Sequence, residues 1–357
     1  MNTQKLKNAL CGKDFAALIC SQENRRYFTE FPSSDGYLLV TDKKSVFFTD
    51  SRYIEAARMK CVGCDEILLF ESLEKSVKPV LDSLVSKKTA VEASEITLSA
   101  LSELRRSLGT EFITDSTLDD LINAVRIKKS EKELELIIKA QRIAEKAFEH
   151  ICRYIKAGMT EKEIGLELDY FMLKNGAEAL SFETIAVCGQ KTSMPHGVPD
   201  ENTVKNGDFV TMDFGAVCGG MHSDMTRTVA VGFATDEMKT IYNTVLEAQC
   251  AAFEFMRAGL LCSQADKAGR SVIEKAGYGK YFGHSLGHGV GIQIHEMPSV
   301  SPKSKDVFEE GNVVTNEPGI YIPGKFGVRI EDMVYIGKDG FVNLTNAPKE
   351  LIILNNR

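Results

Sequence analysis

Asp213 and Asp224 lie in the stretch Thr211-Met-Asp-Phe-Gly-Ala-Val-Cys-Gly-Gly-Met-His-Ser-Asp-Met-Thr-Arg227, on the two arms of a hairpin-like sequence. Gly219-Gly220 readily supplies the positive φ angles of a tight two-residue turn. With that turn, Cys218 faces Met221, Asp213 faces Thr226 and Asp224 faces Gly215. Side chains alternate across a strand, so the two aspartates become diagonal neighbours on one face. Close carboxylates repel and are costly to desolvate, so this spacing invites a cation between them. Taken alone, the stretch reads equally well as a solvated hairpin face bearing two unrelated acids.

The remaining chemistry lies further along. After His150 come His196, His222, His284, His288 and His295, the last three within Gly283-His-Ser-Leu-Gly-His-Gly-Val-Gly-Ile-Gln-Ile-His-Glu-Met-Pro298. Glycines 283, 287, 289 and 291 let backbone approach closely and leave those imidazoles unscreened. Glu317 ends an apolar run in Val313-Val-Thr-Asn-Glu-Pro-Gly319, and Glu331 shares a strand face with Arg329 in Val328-Arg-Ile-Glu-Asp-Met-Val334. A glutamate in such a context needs a partner if buried, and both could also face solvent. Four carboxylates and at least one imidazole form an oxygen-rich donor set, which suits Mn, Co or Fe better than a structural zinc built on thiolates. With bridging carboxylates it could hold two ions roughly 3.5–4 Å apart, an arrangement that activates water.

The elements that would position these residues fall into two domains, as 357 residues suggest. Residues 1–125 alternate strand-like runs (15–20, 37–41, 46–49, 66–70, 89–92) with helical ones (51–60, 73–84, 98–108), an α/β pattern without histidine. Arg25, Arg26 and Tyr27 are its candidates for reaching a neighbouring site. Residues 126–357 form the second domain. Ser130-Glu-Lys-Glu133 is a capping box opening a long amphipathic helix that Gly158 would close, and Thr160-Glu-Lys-Glu163 opens another ending at Asn175-Gly176. Strands follow at 180–188, 208–218 and 221–232, and then the order begins again with helices at 236–258 and 263–277. The pairs Gly158/Gly176 and Gly259/Gly277 are both offset by 101 residues, and Lys156-Ala-Gly-Met159 echoes Arg257-Ala-Gly-Leu260. An internal duplication follows, with a site expected at the pseudo-symmetric seam.

Composition narrows the function classes. A net charge of -7 and no Lys/Arg cluster argue against a nucleic-acid partner. No apolar run reaches the roughly 18 residues of a membrane span. No secretory signal is evident at the start, and nine scattered cysteines suit reduced thiols, so a cytoplasmic protein is expected. Cys61-Val-Gly-Cys64 is a lone CxxC without a second ligand pair and reads as two ordinary thiols.

Pro195-His-Gly-Val198, Met212-Asp-Phe-Gly215, Ser223-Asp-Met-Thr-Arg227, Gly287-His-Gly-Val-Gly291 with His295-Glu296, Asn316-Glu-Pro-Gly319 and Arg329-Ile-Glu-Asp332, in this order, carry a resemblance over nearly the whole chain. The sequence resembles the proline-specific peptidases, Xaa-Pro aminopeptidase and Xaa-Pro dipeptidase (prolidase), whose pita-bread fold is shared with methionine aminopeptidase and creatinase. The resemblance implies a small creatinase-like α/β domain followed by a pita-bread catalytic domain of α+β character with pseudo-two-fold symmetry. It places two divalent metal ions on Asp213, Asp224, His288, Glu317 and Glu331, with Asp224 and Glu331 bridging. Manganese is the first choice, with cobalt, iron or zinc as alternatives. It places His196 and His295 against the substrate, His284 near the scissile peptide, Glu317 as proton carrier, and Arg329 behind the carboxylates. The implied activity is hydrolysis of the bond between an N-terminal residue and a following proline. A dipeptidase with the same mechanism is the alternative, and a non-catalytic peptide-binding relative a remote one. Expected partners are Xaa-Pro dipeptides, or peptides with proline second, and a second subunit in a homodimer.

Overall fold

Capping chemistry starts the helices where the sequence places them. Ser130 and Thr160 each accept from the backbone three residues on, while Glu133 and Glu163 reach back to the cap, opening helices Glu131–Tyr154 and Glu161–Lys174. The computed structural model describes residues 2–84 and 88–355. It divides into two units, Met1–Arg126 and Ile127–Arg357. No helix among the described residues is long and apolar enough to cross a membrane.

In the first unit a six-stranded sheet runs in the order Glu66–Leu69, Ser45–Thr49, Tyr37–Val40, Phe15–Ile19, Lys88–Val91, Glu111–Ile113. Phe15–Ile19 is buried at every position, as expected of a strand covered on both faces. The helices Asn2–Leu10, Gln22–Thr29 and Thr117–Arg126 have no counterpart in the sequence reading. Gln22–Thr29 is polar and owes its start to Ser21, whose hydroxyl accepts from Asn24 N. The helix expected over 73–84 is a π turn, Leu73–Val77, continuing into Lys78–Asp82. Arg25 is buried and donates to the carbonyls of Cys20 and Ser33, while the Tyr27 hydroxyl lies 3.3 Å from Val125 O. Both therefore brace their own unit.

In the second unit the first long helix stops at Tyr154 rather than Gly158, and the third, Asp236–Phe253, stops well before Gly259. Both glycines serve instead in the turns that follow, with φ of 94° and 88°. Gly158 N donates to Val204 O and Val204 N to Met159 O; Gly259 N donates to Phe308 O and Phe308 N to Leu260 O. The duplication thus repeats at the level of single hydrogen bonds. It extends to the sheets. Phe209–Phe214 lies antiparallel between Ile185–Cys188 and Met225–Val231, and Val313–Asn316 lies antiparallel between Gly287–Gly289 and Asp332–Ile336. Val210-Thr-Met-Asp-Phe-Gly215 and Val314-Thr-Asn-Glu-Pro-Gly319 occupy matching places, so each half delivers an acid at the end of a central strand. Each half also has its own apolar core, one built on residues of the Glu131–Tyr154 helix such as Ala140 and Phe148, the other on residues such as Tyr242 and Phe308.

The hairpin register is Cys218↔Met221 and Asp213↔Thr226, with Gly219 and Gly220 at φ 56° and 85°. Both arms are broken near their middle: a Cβ at Gly215 would lie 1.9 Å from Ser223 O, so the arms cross closely there. Asp224 consequently sits between a two-residue strand, Met221–His222, and the longer Met225–Val231. Gly220→Val forces a β-branched residue into the left-handed region and should cost about 1–3 kcal/mol. Urea unfolding checks this, and an unchanged midpoint would contradict the turn's role.

Candidate metal centre

The acids singled out in the sequence converge because each sits at or beside the end of a strand, and His288 joins them from within a three-residue one. Asp213 closes Phe209–Phe214, Asp224 precedes Met225–Val231, His288 is central in Gly287–Gly289, Glu317 follows Val313–Asn316, and Glu331 precedes Asp332–Ile336. All five line one cavity of about 630 Å³ together with His196, His284, His295 and Arg329. Every residue the sequence assigned to the metal centre or its substrate wall therefore reaches the same pocket, whereas Arg25, Arg26 and Tyr27 do not line it.

The centre is tightly oriented. His288 Nδ1 lies 3.0 Å from Gly289 O, a contact that makes it the donor and leaves Nε2 aimed at the acids. That Nε2 is 3.3 Å from Glu317 Oε1 and 3.6 Å from Asp224 Oδ2. Thr315 ties the pair from behind: its hydroxyl accepts from His288 N and donates to Glu317 Oε1. The Thr226 hydroxyl donates to Glu331 Oε2 at 2.7 Å and accepts from Arg329 Nε at 3.0 Å. Arg329 also donates to Asp213 Oδ2, the Tyr321 hydroxyl and Pro195 O, so one guanidinium links the acid cluster to the loop carrying His196. Arg227, equally buried, donates to Glu331 O and Asp332 Oδ1 and locks the two halves together.

Charge in the pocket is unbalanced. Burial, and then the neighbouring Asp213 carboxylate, raise Asp224 well above the usual carboxylate range. Burial, and then Asp224 and Glu317, do the same to Glu331. Burial likewise raises Asp213 despite Arg329, and its Oδ1 is buried with no hydrogen-bond partner. Burial opposes ionisation of Glu317 too, but the hydrogen bond and charge of His288 outweigh it and hold the carboxyl down at about 2. The reciprocal effect carries His288, against burial, up to about 9. The donor set fits a divalent cation on these grounds: an orphaned carboxylate oxygen, an imidazole nitrogen aimed at two acids, and donor atoms of Asp224, His288 and Glu331 within 4.8 Å of one another.

The outer imidazoles differ. His295 packs edge-on against His288 with ring centroids 4.3 Å apart. Burial and then the His288 charge lower its pKa, favouring the neutral ring. His284 lies 2.9 Å from the Tyr321 hydroxyl and 2.8 Å from Ser285 O, so both of its ring nitrogens are already engaged. Burial again favours its neutral form. His196 is exposed on the pocket wall. Thr226, Thr315, Tyr321 and Arg227 were not assigned roles from sequence. Only Thr226 had a signal, as the residue facing Asp213.

A cation must displace the proton from His288 Nε2 and any held by Asp224 or Glu331. Cation affinity should therefore rise with pH up to about 9, with protons released on binding. Titration calorimetry in buffers of different ionisation enthalpy checks this; a pH-independent affinity without proton release would count against the cluster as the binding site.

Residues 135–338 match the model of metallopeptidase family M24, and residues 3–128 that of the creatinase/prolidase N-terminal domain. The chain is similar to an Xaa-Pro dipeptidase of Pyrococcus horikoshii, 37% identical over 94% of both chains. Among solved structures it is similar to an Xaa-Pro dipeptidase from Bacillus anthracis, with 40% identity, a TM-score of 0.94 and 99% of both chains covered. It is also similar to an X-Pro aminopeptidase from Thermotoga maritima, with 35% identity, a TM-score of 0.89, and coverage of 95% of this chain and 97% of that one.

Proposed function

The chain belongs to metallopeptidase family M24, a family of divalent-metal peptidases, and carries a creatinase/prolidase N-terminal domain; on that premise we propose that it hydrolyses the peptide bond preceding a proline in the second position. The observation that carries this reading is the convergence of His288, Asp224, Glu317, Asp213 and Glu331 on one cavity whose walls also hold apolar Phe182, Ile185, Val198 and Ile294. Such walls suit a proline ring beside a charged centre.

In this reading Asp213, Asp224, His288, Glu317 and Glu331 hold two divalent cations, manganese first, with cobalt, iron or zinc as alternatives. Bound there, the cations would supply Lewis acidity that lowers the pKa of a water and polarises a carbonyl. The chain's own groups do the rest. Glu317 accepts a proton from the attacking water and delivers it to the proline nitrogen as the C–N bond breaks. His196 and His295 donate to the carbonyl oxygen as negative charge develops on it. A neutral His295 does this without repelling the cations. His284 supports the Arg329–Tyr321 chain rather than the substrate in this arrangement.

One feature favours an aminopeptidase over a dipeptidase. Among the described residues lining the cavity, Arg329 is the sole lysine or arginine, and its guanidinium is committed to Asp213, Thr226, Tyr321 and Pro195. The free carboxylate of a dipeptide meets no uncommitted lysine or arginine among these residues. The dipeptidase alternative rests on the names of two of the three relatives just given, the third being named an aminopeptidase. The reading also includes a homodimer and a cytoplasmic location, for which nine free cysteines favour a reducing compartment.

On manganese-loaded protein, Ala-Pro-Ala should be cleaved at the Ala-Pro bond and Ala-Pro several-fold less efficiently. A preference for Ala-Pro would overturn the aminopeptidase reading, and no cleavage of either with any divalent metal would overturn the peptidase itself. Asp224→Ala or Glu331→Ala should lower bound cation towards one or none per chain. By contrast, His295→Ala should keep the cations and lower kcat by about a hundredfold or more, as for loss of one oxyanion donor. Metal analysis and steady-state kinetics check both.

A further inference from the structure

The imidazole of His295 projects from the end of a short loop between two strands. Val290-Gly-Ile-Gln-Ile-His295 connects Gly287–Gly289 to Glu296–Val300, and the pairing of those strands carries a bulge after His288. Beneath the loop is a charged pair that the pocket does not use. Lys129 Nζ lies 2.7 Å from Glu296 Oε1, and the side chains are only 2% and 4% exposed. A buried pair of this kind is weak evidence for stability, because desolvation offsets much of the attraction. Its placement is more telling.

Glu296 directly follows His295, and the loop wraps its carboxylate. Gln293 N lies 3.5 Å from Glu296 Oε2, and Gly291 N donates to Gln293 O. A Cβ at Gly291 would lie 2.4 Å from Glu296 Oε1, so the glycine is required by the carboxylate's position. From the other side, Lys129 immediately precedes the capping residue Ser130. Its own N–H donates to Gly311 O, and Asn312 Nδ2 donates to Ile127 O. The ammonium is thus mounted on a short segment bonded to the turn that leads into Val313–Asn316, the strand before Glu317. The pair joins the frame of one pocket wall to the residue beside His295.

We infer that Lys129 and Glu296 are positioning residues for His295, holding its ring edge-on to His288 and facing the reacting carbonyl; the inference rests on the peptidase reading for its catalytic meaning. Lys129→Met removes the ammonium that ties the Glu296 carboxylate to the 127–130 segment and lets the 290–296 loop move. A displacement of about 1 Å at a reacting group can cost about a hundredfold in rate.

The test is a kinetic cycle on the metal-loaded full chain. Lys129→Met should lower kcat by about ten- to a hundredfold, with KM and bound cation unchanged. In a His295→Ala background it should lower kcat little further, because the residue it acts through is gone. An unchanged kcat in Lys129→Met, or the same fold-loss in both backgrounds, overturns the inference. Should Lys129→Met fail to fold, Glu296→Gln, which keeps the side-chain shape, is read by the same criteria. Should the parent protein cleave no Xaa-Pro peptide, the peptidase reading fails, and a crystal structure of the variant decides the positioning alone. A His295 ring displaced from His288 then supports it, and a ring still packed at 4.3 Å overturns it.

Discussion

The constraint on which this molecule depends is the crowding of negative charge. Asp224 and Glu331 are almost wholly buried, and Asp213 and Glu317 nearly so, around a single imidazole. Two like charges 4 Å apart repel by about 4 kcal/mol at an effective dielectric of 20. Several such pairs would use up much of the 5–15 kcal/mol by which a domain is ordinarily stable. The protein cannot keep all four acids ionised there without positive charge. Without cations the site answers with protons: His288 is pushed up to about 9, and Asp224 and Glu331 are raised by burial and mutual repulsion. Cations answer the same demand, and the pocket is organised so that either can.

The scaffold bears this load by duplication. Each half contributes a central strand ending in an acid, Asp213 in one and Glu317 in the other, and a neighbouring strand preceded by a second, Asp224 and Glu331. The halves are then stitched where repulsion would open them. Glu331 N donates to Thr226 O, the Thr226 hydroxyl returns to Glu331, and Arg227 reaches across to Asp332. Arg329 contributes the permanent positive charge nearest the acids, and its planar fork spreads over Asp213, Tyr321 and Pro195 at once. A lysine could meet one of these partners but not all three.

Much of this was legible because it follows from period and spacing. The Gly219-Gly220 turn and alternation suffice to place Asp213 opposite Thr226, as observed. The capping boxes place two helix starts, and the glycine offsets reveal the duplication. What stayed hidden has physical causes. Gly158 and Gly259 look like helix ends in sequence, yet the helices stop earlier and the glycines turn the chain so that a cross-strand bond can form. Gln22–Thr29 has too few apolar residues to announce itself; its end is set by Glu30, which takes φ 54°. Tyr321, Thr315 and Lys129 matter through partners tens to hundreds of positions away or across a turn, which no local pattern reports.

The histidines show how one residue type is sorted by its surroundings. His288 faces acids on one nitrogen and a carbonyl on the other, so its environment favours positive charge, whether a proton or a cation supplies it. His284 is boxed by Tyr321 and Ser285, and burial keeps it neutral with both nitrogens engaged. His295 lies against His288, whose charge adds to burial in keeping it neutral. A cation held at His288 would extend that pressure, since a second positive charge 4.3 Å from ring centre to ring centre is disfavoured. The same charge that the acids require therefore maintains the neighbouring imidazole as a neutral donor. Electrostatic compensation of the cluster and preparation of its outer wall are one and the same effect.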